Sequence, residues 1–382
     1  MLALMSILFS GAVHAKSWCA APLIAHEWGV EVLRGDGQPP VGVPMPSWFH
    51  RGVGSPDAVG EPVRHLPPDS GIRTLPVVQF YAPPTWGSAI PVGLEVGFSD
   101  GEASVWFPQV DRRISAAEAN GPAAAAARSS LLAQRALRSE GFDRRERVGA
   151  DPTRQLGWDA LSLLRDSPTG AHRAEVTWVE ALREMPQALW VQRGDEVERF
   201  VFYEADTREQ PALILERGDQ WSPTRPHYVL RNRSDWPVHE VVLVADGVAW
   251  QAPSIPAGAS AGFLLTDPLQ PAAVAAWLRG RWSGAARSPE SYRWTVDDCV
   301  MMRDPAIPVE VAEGHRLYPG EVDVLMDVWA ARLFQGAGVH LIYREDTAAL
   351  DALMPVSLYT DMRHFVEWRR LGVVLVEGLQ LP

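Results

Sequence analysis

Short apolar runs broken by polar residues and turn signals fill the first two thirds of this chain, and a helical period takes over only in places. Residues 75–81, Leu-Pro-Val-Val-Gln-Phe-Tyr, are β-branched and aromatic, and Pro83-Pro84 stops the run. Residues 92–98 alternate, Asp100-Gly101 is a hairpin signal and residues 103–107 return, which predicts antiparallel sheet. Strands are expected again over 174–180, 188–192 and 198–203. From Tyr228 short strands recur at regular spacing (228–232, 238–244 and 262–265, with Asp246-Gly247 as a turn), the pattern of a small sandwich.

Helical signals are fewer. Ala123 to Ala127 is a run of five alanines following Pro122, so a helix is predicted there, inside a charged segment, 115–155, that reads as an exposed insertion. Residues 272–281 predict another. The clearest lies over 319–334, where Val322, Leu325, Met326, Trp329 and Leu333 fall on one helical stripe. Pro319 suits its first turn, Glu321 and Asp323 suit its positive end, and Gly336 and Gly338 stop it. A strand over 339–343, a helical turn over 348–353 and a strand over 355–359 follow. Residues 20–70, rich in Pro and Gly, read as extended chain and turns.

These elements predict an α+β protein: predominantly sheet and sandwich in the N-terminal and middle regions, closed by an α/β C-terminal unit. The expected division is a signal peptide over 1–15, a β-rich region over 16–195 carrying the insertion, a sandwich-like module over 196–268 and an α/β region over 269–382. The signal-peptide expectation rests on an apolar run ending in Val13-His14-Ala15, a small-x-small cleavage pattern that would leave Lys16 first. It implies a soluble protein exported to the periplasm or beyond the cell, and no later apolar stretch is long enough to span a bilayer as a helix.

Composition narrows the function classes. A net charge of −12 without a basic block argues against nucleic acid and against anionic lipid. The two cysteines, Cys19 and Cys299, can pair in an oxidising compartment or remain as free thiols. Sixteen tryptophans are many for this length; most are expected in cores, with Trp48, Trp86, Trp221 and Trp236 the best candidates for exposure.

The segment Ala25-His26-Glu27-Trp28-Gly29 resembles the HEWG signature near the mature N-terminus of an uncharacterised family of exported bacterial proteins. Residues 76–81, 101–109, 199–203, 314–318 and 351–355 fit the same pattern in the same order. Val30-Glu31 stand where that family usually carries Thr-Phe. The resemblance implies export and chain order, and carries no activity.

Two function classes follow. The first is a binding protein that uses loops and aromatic side chains, Trp28, Trp48 and Trp86 among them, for a protein or glycan partner. The second is a metal-dependent hydrolase centred on His26 and Glu27, with His50 or His65 as further ligands of a divalent metal. His26-Glu27 lacks the second histidine of a zincin helix, and on a strand adjacent side chains point to opposite faces. Gly258-Ala259-Ser260-Ala261-Gly262 spells a nucleophile elbow but precedes strand-like residues where a helix is required. Asp361, His364 and Glu367 would share one helical face, read here as solvated. No complete catalytic motif is present, which favours the binding class.

Overall fold

The computed structural model describes residues 23–52, 71–82, 87–99, 101–114, 154–170, 174–185, 187–207, 209–219, 222, 227–252, 254–265, 267–284, 314–336, 338–360 and 366–381. The expected signal peptide, most of the insertion, and Cys19, His65, Trp86, Trp221, Cys299, Asp361 and His364 lie outside them. Of the described residues, 51% are in strands and 18% in helices, so the protein is mostly β.

In chain order the strands are β1 (Leu23–Arg34), β2 (His50–Arg51), β3 (Gly71–Tyr81), β4 (Ala89–Phe98), β5 (Glu102–Phe107), β6 (Arg112–Ile114), β7 (Arg154–Leu164), β8 (Trp190–Arg193) and β9 (Glu196–Glu198). They continue as β10 (Val201–Thr207), β11 (Leu213–Arg217), β12 (His227–Asn232), β13 (Val238–Ala245), β14 (Val248–Ala252), β15 (Ser260–Leu264), β16 (Val339–Glu345), β17 (Val356–Thr360) and β18 (Val366–Leu379). The helices are α1 (Thr177–Arg183), α2 (Pro271–Trp282), α3 (Pro319–Gln335) and α4 (Thr347–Leu353).

A nine-stranded sheet in the order β14-β13-β16-β18-β1-β3-β10-β5-β2 organises the molecule. At its centre β1 and β18 pair in parallel, while β3 and β16 flank them antiparallel. β1 and residues 370–377 of β18 are buried on both faces. For β18 the cause is legible: Leu371-Gly372-Val373-Val374-Leu375-Val376 is a continuous apolar run, the signature of a doubly covered strand.

The two faces of this sheet are covered differently. Ile24, Trp28, Val30 and Val32 of β1 pack with Leu325, Trp329, Leu278 and Trp178 from three helices. On the opposite face Leu23 and Ala25 join the core under the six-stranded sheet β17-β4-β7-β8-β9, in which β6 also pairs with β7. Leu33, further along the same face, joins the core under the three-stranded sheet β11-β12-β15. Glu27, Gly29 and Glu31 fall between these two cores, so β1 carries buried charge along the seam of the two smaller sheets.

Several sequence expectations are revised. β4 and β5 do not pair as the expected hairpin: β4 pairs with β7 and β17, whereas β5 pairs with β10 and β2. Gly101, at φ 98°, serves a different need, because a Cβ there would lie 2.0 Å from the Asp206 carbonyl oxygen. Residues 177–183 form a helix rather than a strand, burying Trp178, Val179 and Leu182 on one side. Glu367 lies in strand β18, not on a helix. The C-terminal region lends β16 and β18 to the shared sheet and β17 to the six-stranded one. Strands of the 196–268 segment likewise divide, β13 and β14 at the edge of the large sheet and β11, β12 and β15 facing them across a common core. Asp246-Gly247 does close the β13–β14 hairpin, both residues at positive φ as a tight primed turn requires.

Candidate functional site

Strand alternation decides what His26 and Glu27 can do. His26 points to the helix side, and its Nδ1–H donates to Glu321 Oε2 at 2.7 Å. That oxygen also accepts the Tyr318 backbone N–H at 2.8 Å, so one carboxylate caps α3 and orients the imidazole. The ring lies between Tyr81 and Tyr318, at centroid distances of 5.1 and 4.7 Å. Burial, reinforced by the Glu321 charge, raises the Tyr81 phenol well above its ordinary pKa. Gln79, directly opposite His26 on β3, shares this face. His26 Nε2 and both amide atoms of Gln79 have no protein hydrogen-bond partner. His26, Glu321 and Gln79 are all fully buried.

Glu27 points into the seam. Arg370 on β18 grips it bidentately, through Nε at 2.8 Å and Nη2 at 3.0 Å, and reaches Asp351 on α4 at 2.8 Å. Tyr203 on β10 donates to Glu27 at 2.7 Å. This buried carboxylate therefore has a matched cation and a hydroxyl donor.

Four residues on, Glu31 has a different environment. Its cation is Arg73, opposite it on β3, at 3.0 Å. Arg73 also binds Glu345 through two contacts, at 2.7 and 3.1 Å, and Glu209 at 3.1 Å. The guanidinium faces Glu345 squarely; its Nε and Glu31 Oε2 are close without forming an aligned hydrogen bond. Thr207 donates to the other Glu31 oxygen. Burial raises the Glu31 carboxyl well above the usual carboxylate range; Arg73 opposes this, and the charges of Glu209 and Glu345 add to it. Gly71 makes room here, since a Cβ on it would lie 2.2 Å from Glu31 Oε1.

Beside this cluster the seam opens into a cleft of about 470 Å³. Its base is sheet: Leu33, Val374 and Tyr343. Its walls come from the β10–β11 and β12–β13 connections and from α4, bringing Glu209, Trp236 and Asp346, with Glu345 alongside. Asn232 holds the β12–β13 wall in shape. Its amide donates to the carbonyls of Trp236, Ile255 and Pro256 at 2.7, 3.1 and 3.1 Å, and its oxygen accepts from Ser234. Tyr343 accepts the Ala212 backbone N–H at 2.9 Å, fixing the other wall.

The residues singled out from sequence are thus dispersed. His26 and Glu27 face opposite sides of the sheet. His50, on edge strand β2, bonds Glu196 at 2.5 Å and stands four strand spacings, about 19 Å, from β1. Among the described residues no three His, Cys, Asp or Glu side chains are grouped to hold a metal ion. Trp28 is fully buried and offers no face to a partner, while half-buried Trp48 packs edge-on against Phe49 and Phe107. Of the two described tryptophans expected to be exposed, Trp48 and Trp236, it is Trp236 that lines the cleft. Sequence reasoning missed Glu31, Arg73, Glu209 and Glu345; the signal it had was a pair of acids, Glu27 and Glu31, on one face of an otherwise apolar strand.

No protein-family model matches this chain, and no curated protein matches it. Among the described residues no helix is long and apolar enough to cross a membrane.

Proposed function

We propose that this is an exported binding protein whose ligand site is the cleft over the seam of the two smaller sheets. The observation that carries the reading is the cleft itself: about 470 Å³, with an apolar and aromatic base and carboxylates on its walls. Sites for small ligands commonly enclose about 300–1,000 Å³ and pair apolar walls with a few placed polar groups. Export rests on the apolar run ending at Ala15 and on the HEWG resemblance. The hydrolase alternative loses support because the strand separates His26 from Glu27, and Glu27 is committed to Arg370.

The test is a small-molecule screen by thermal shift on the wild type and on Ala212→Trp, which places a large ring in the cleft, with Trp236→Ala as a second variant. Ligands should raise the wild-type Tm and lose that effect in both variants. Ligands that stabilise all three proteins equally would remove the cleft as the site.

A further inference from the structure

The polar groups that line the cleft are largely bound within the protein itself. Glu345 takes two bonds from Arg73, at 2.7 and 3.1 Å, and Glu209 meets the same guanidinium at 3.1 Å. Asp346 accepts the Ala348 backbone N–H at 2.8 Å and pairs with His239 at 3.2 Å. Ser234 donates to the Trp236 carbonyl at 2.8 Å. Pro211 and Pro237, one on each loop wall, have no N–H to offer. Arg233 stands at the exposed rim, where solvent screens it. The surface left for a ligand is apolar and aromatic: Leu33 and Val374 at the base, Ala349 and Leu353 from α4, and Trp236.

Tyr343 is the exception. It is 2% exposed and forms part of the cleft base. A hydroxyl has two lone pairs to accept with and one hydrogen to donate. Here the oxygen accepts the Ala212 N–H at 2.9 Å, and among the described residues its own hydrogen meets no acceptor. Burial raises this phenol well above its ordinary pKa; the Ala212 N–H opposes the rise, and the charges of Glu345 and Glu209 add to it. The group therefore keeps its hydrogen. A buried donor left without an acceptor is unfavourable, and an acceptor atom on a ligand would satisfy it.

Charge narrows the class further. A cation would shed its water against carboxylates that already hold Arg73, His239 and a backbone N–H. An anion would lie beside Glu209, Glu345 and Asp346. A neutral molecule meets neither cost and gains from the apolar base and the two rings.

We propose that the cleft binds a neutral aromatic molecule with one hydrogen-bond acceptor, its body over Leu33, Val374 and Trp236 and its acceptor on the Tyr343 O–H. This rests on the reading of the cleft as the ligand site and adds the chemical class of the ligand.

Calorimetric titration of the full chain with four probes of similar shape tests it: acetophenone, isopropylbenzene, 1-phenylethylammonium and benzoate. Acetophenone should bind about fivefold more tightly than the hydrocarbon, the size of one net hydrogen bond. Both charged probes should bind at least about tenfold more weakly than the ketone. Tyr343→Phe should bring ketone and hydrocarbon to equal affinity, and Trp236→Ala should weaken both alike. Because Tyr343→Phe also removes the acceptor of the Ala212 N–H, the infrared carbonyl band of acetophenone on the wild type gives a reading that needs no variant. It should move to lower frequency than in hydrocarbon solvent. A charged probe that binds as tightly as the ketone overturns the inference and leaves the cleft reading standing. So does an unshifted carbonyl band, or a ketone preference that is absent from the wild type or survives in Tyr343→Phe. Absence of binding by all four probes, or affinities that Trp236→Ala does not alter, overturns the inference together with the cleft reading.

Discussion

The two faces of β1 solve the problem of burying polar side chains in opposite ways. On the helix side His26 is met by a carboxylate that is already capping a helix, so one group satisfies two donors. On the seam side Glu27 and Glu31 recruit arginines from the two neighbouring strands, and only Glu27 obtains a cation in well-matched geometry. The helix face uses polar groups to fix the seating of α3. The seam face stores charge beside a cleft. Buried charge retained next to an opening, rather than sealed within a core, is what the proposed ligand site has and the helix face lacks.

The largest test of this contrast is Glu27→Ala. Leaving Arg370 buried without its main partner should cost about 3–5 kcal/mol in urea denaturation. Replacing both partners, Glu27→Met with Arg370→Met, should recover most of that loss; a single variant as stable as wild type would dissolve the distinction between the faces. On the helix side His26→Ala should cost about 2–3 kcal/mol, because Glu321 loses its imidazole donor in a buried setting. The same variant should leave ligand binding in the cleft unaltered, and a changed affinity would mean that the two faces are coupled. Asn232→Ala should cost about 1–2 kcal/mol and weaken cleft ligands, since the Trp236 carbonyl of the wall, and those of Ile255 and Pro256 behind it, lose their donor. The smallest effect is a slope. The folded-state pKa of Glu31 lies above its unfolded value, so its contribution to stability is complete below the unfolded value and is lost as pH rises through the folded one. Glu31→Gln should therefore match wild type in acid and exceed it increasingly as pH rises, measured by denaturation across pH; parallel curves would show that Glu31 carries no such burden.

Much of the local structure was legible in the sequence. The stripe Val322–Leu325–Met326–Trp329–Leu333 became α3, and the runs at 75–81, 228–232, 238–244 and 339–343 became strands. What the periodicity could not reveal was β1. His26, Glu27 and Glu31 interrupt its apolar pattern, and their burial becomes affordable only through Glu321, Arg370 and Arg73, residues as far as 343 positions away. The first half of β18 was hidden for the same reason: Arg369 and Arg370 look like a solvated surface until Glu27 is set beside them. Pairing was also invisible. A Gly turn between two alternating segments signals a hairpin locally, yet β4 and β5 belong to different sheets that face each other across one core. The candidate site fared similarly, with Trp236 flagged by its loop context and the carboxylate cluster assembled only by tertiary structure.

The parallel pairing of β1 with β18 has a consequence in time as well as in space. The first described strand completes its hydrogen bonding only against the last, and β3, β16 and the helix-side core are all organised around that pair. Contacts of such long sequence separation form slowly, because the intervening chain must be ordered or looped before they close. The middle of the large sheet must therefore wait for β18. Until then the edge of β1 that β18 covers stands open, and a nascent polypeptide would depend on something else to keep it covered, while β3, far nearer in sequence, can close the other edge.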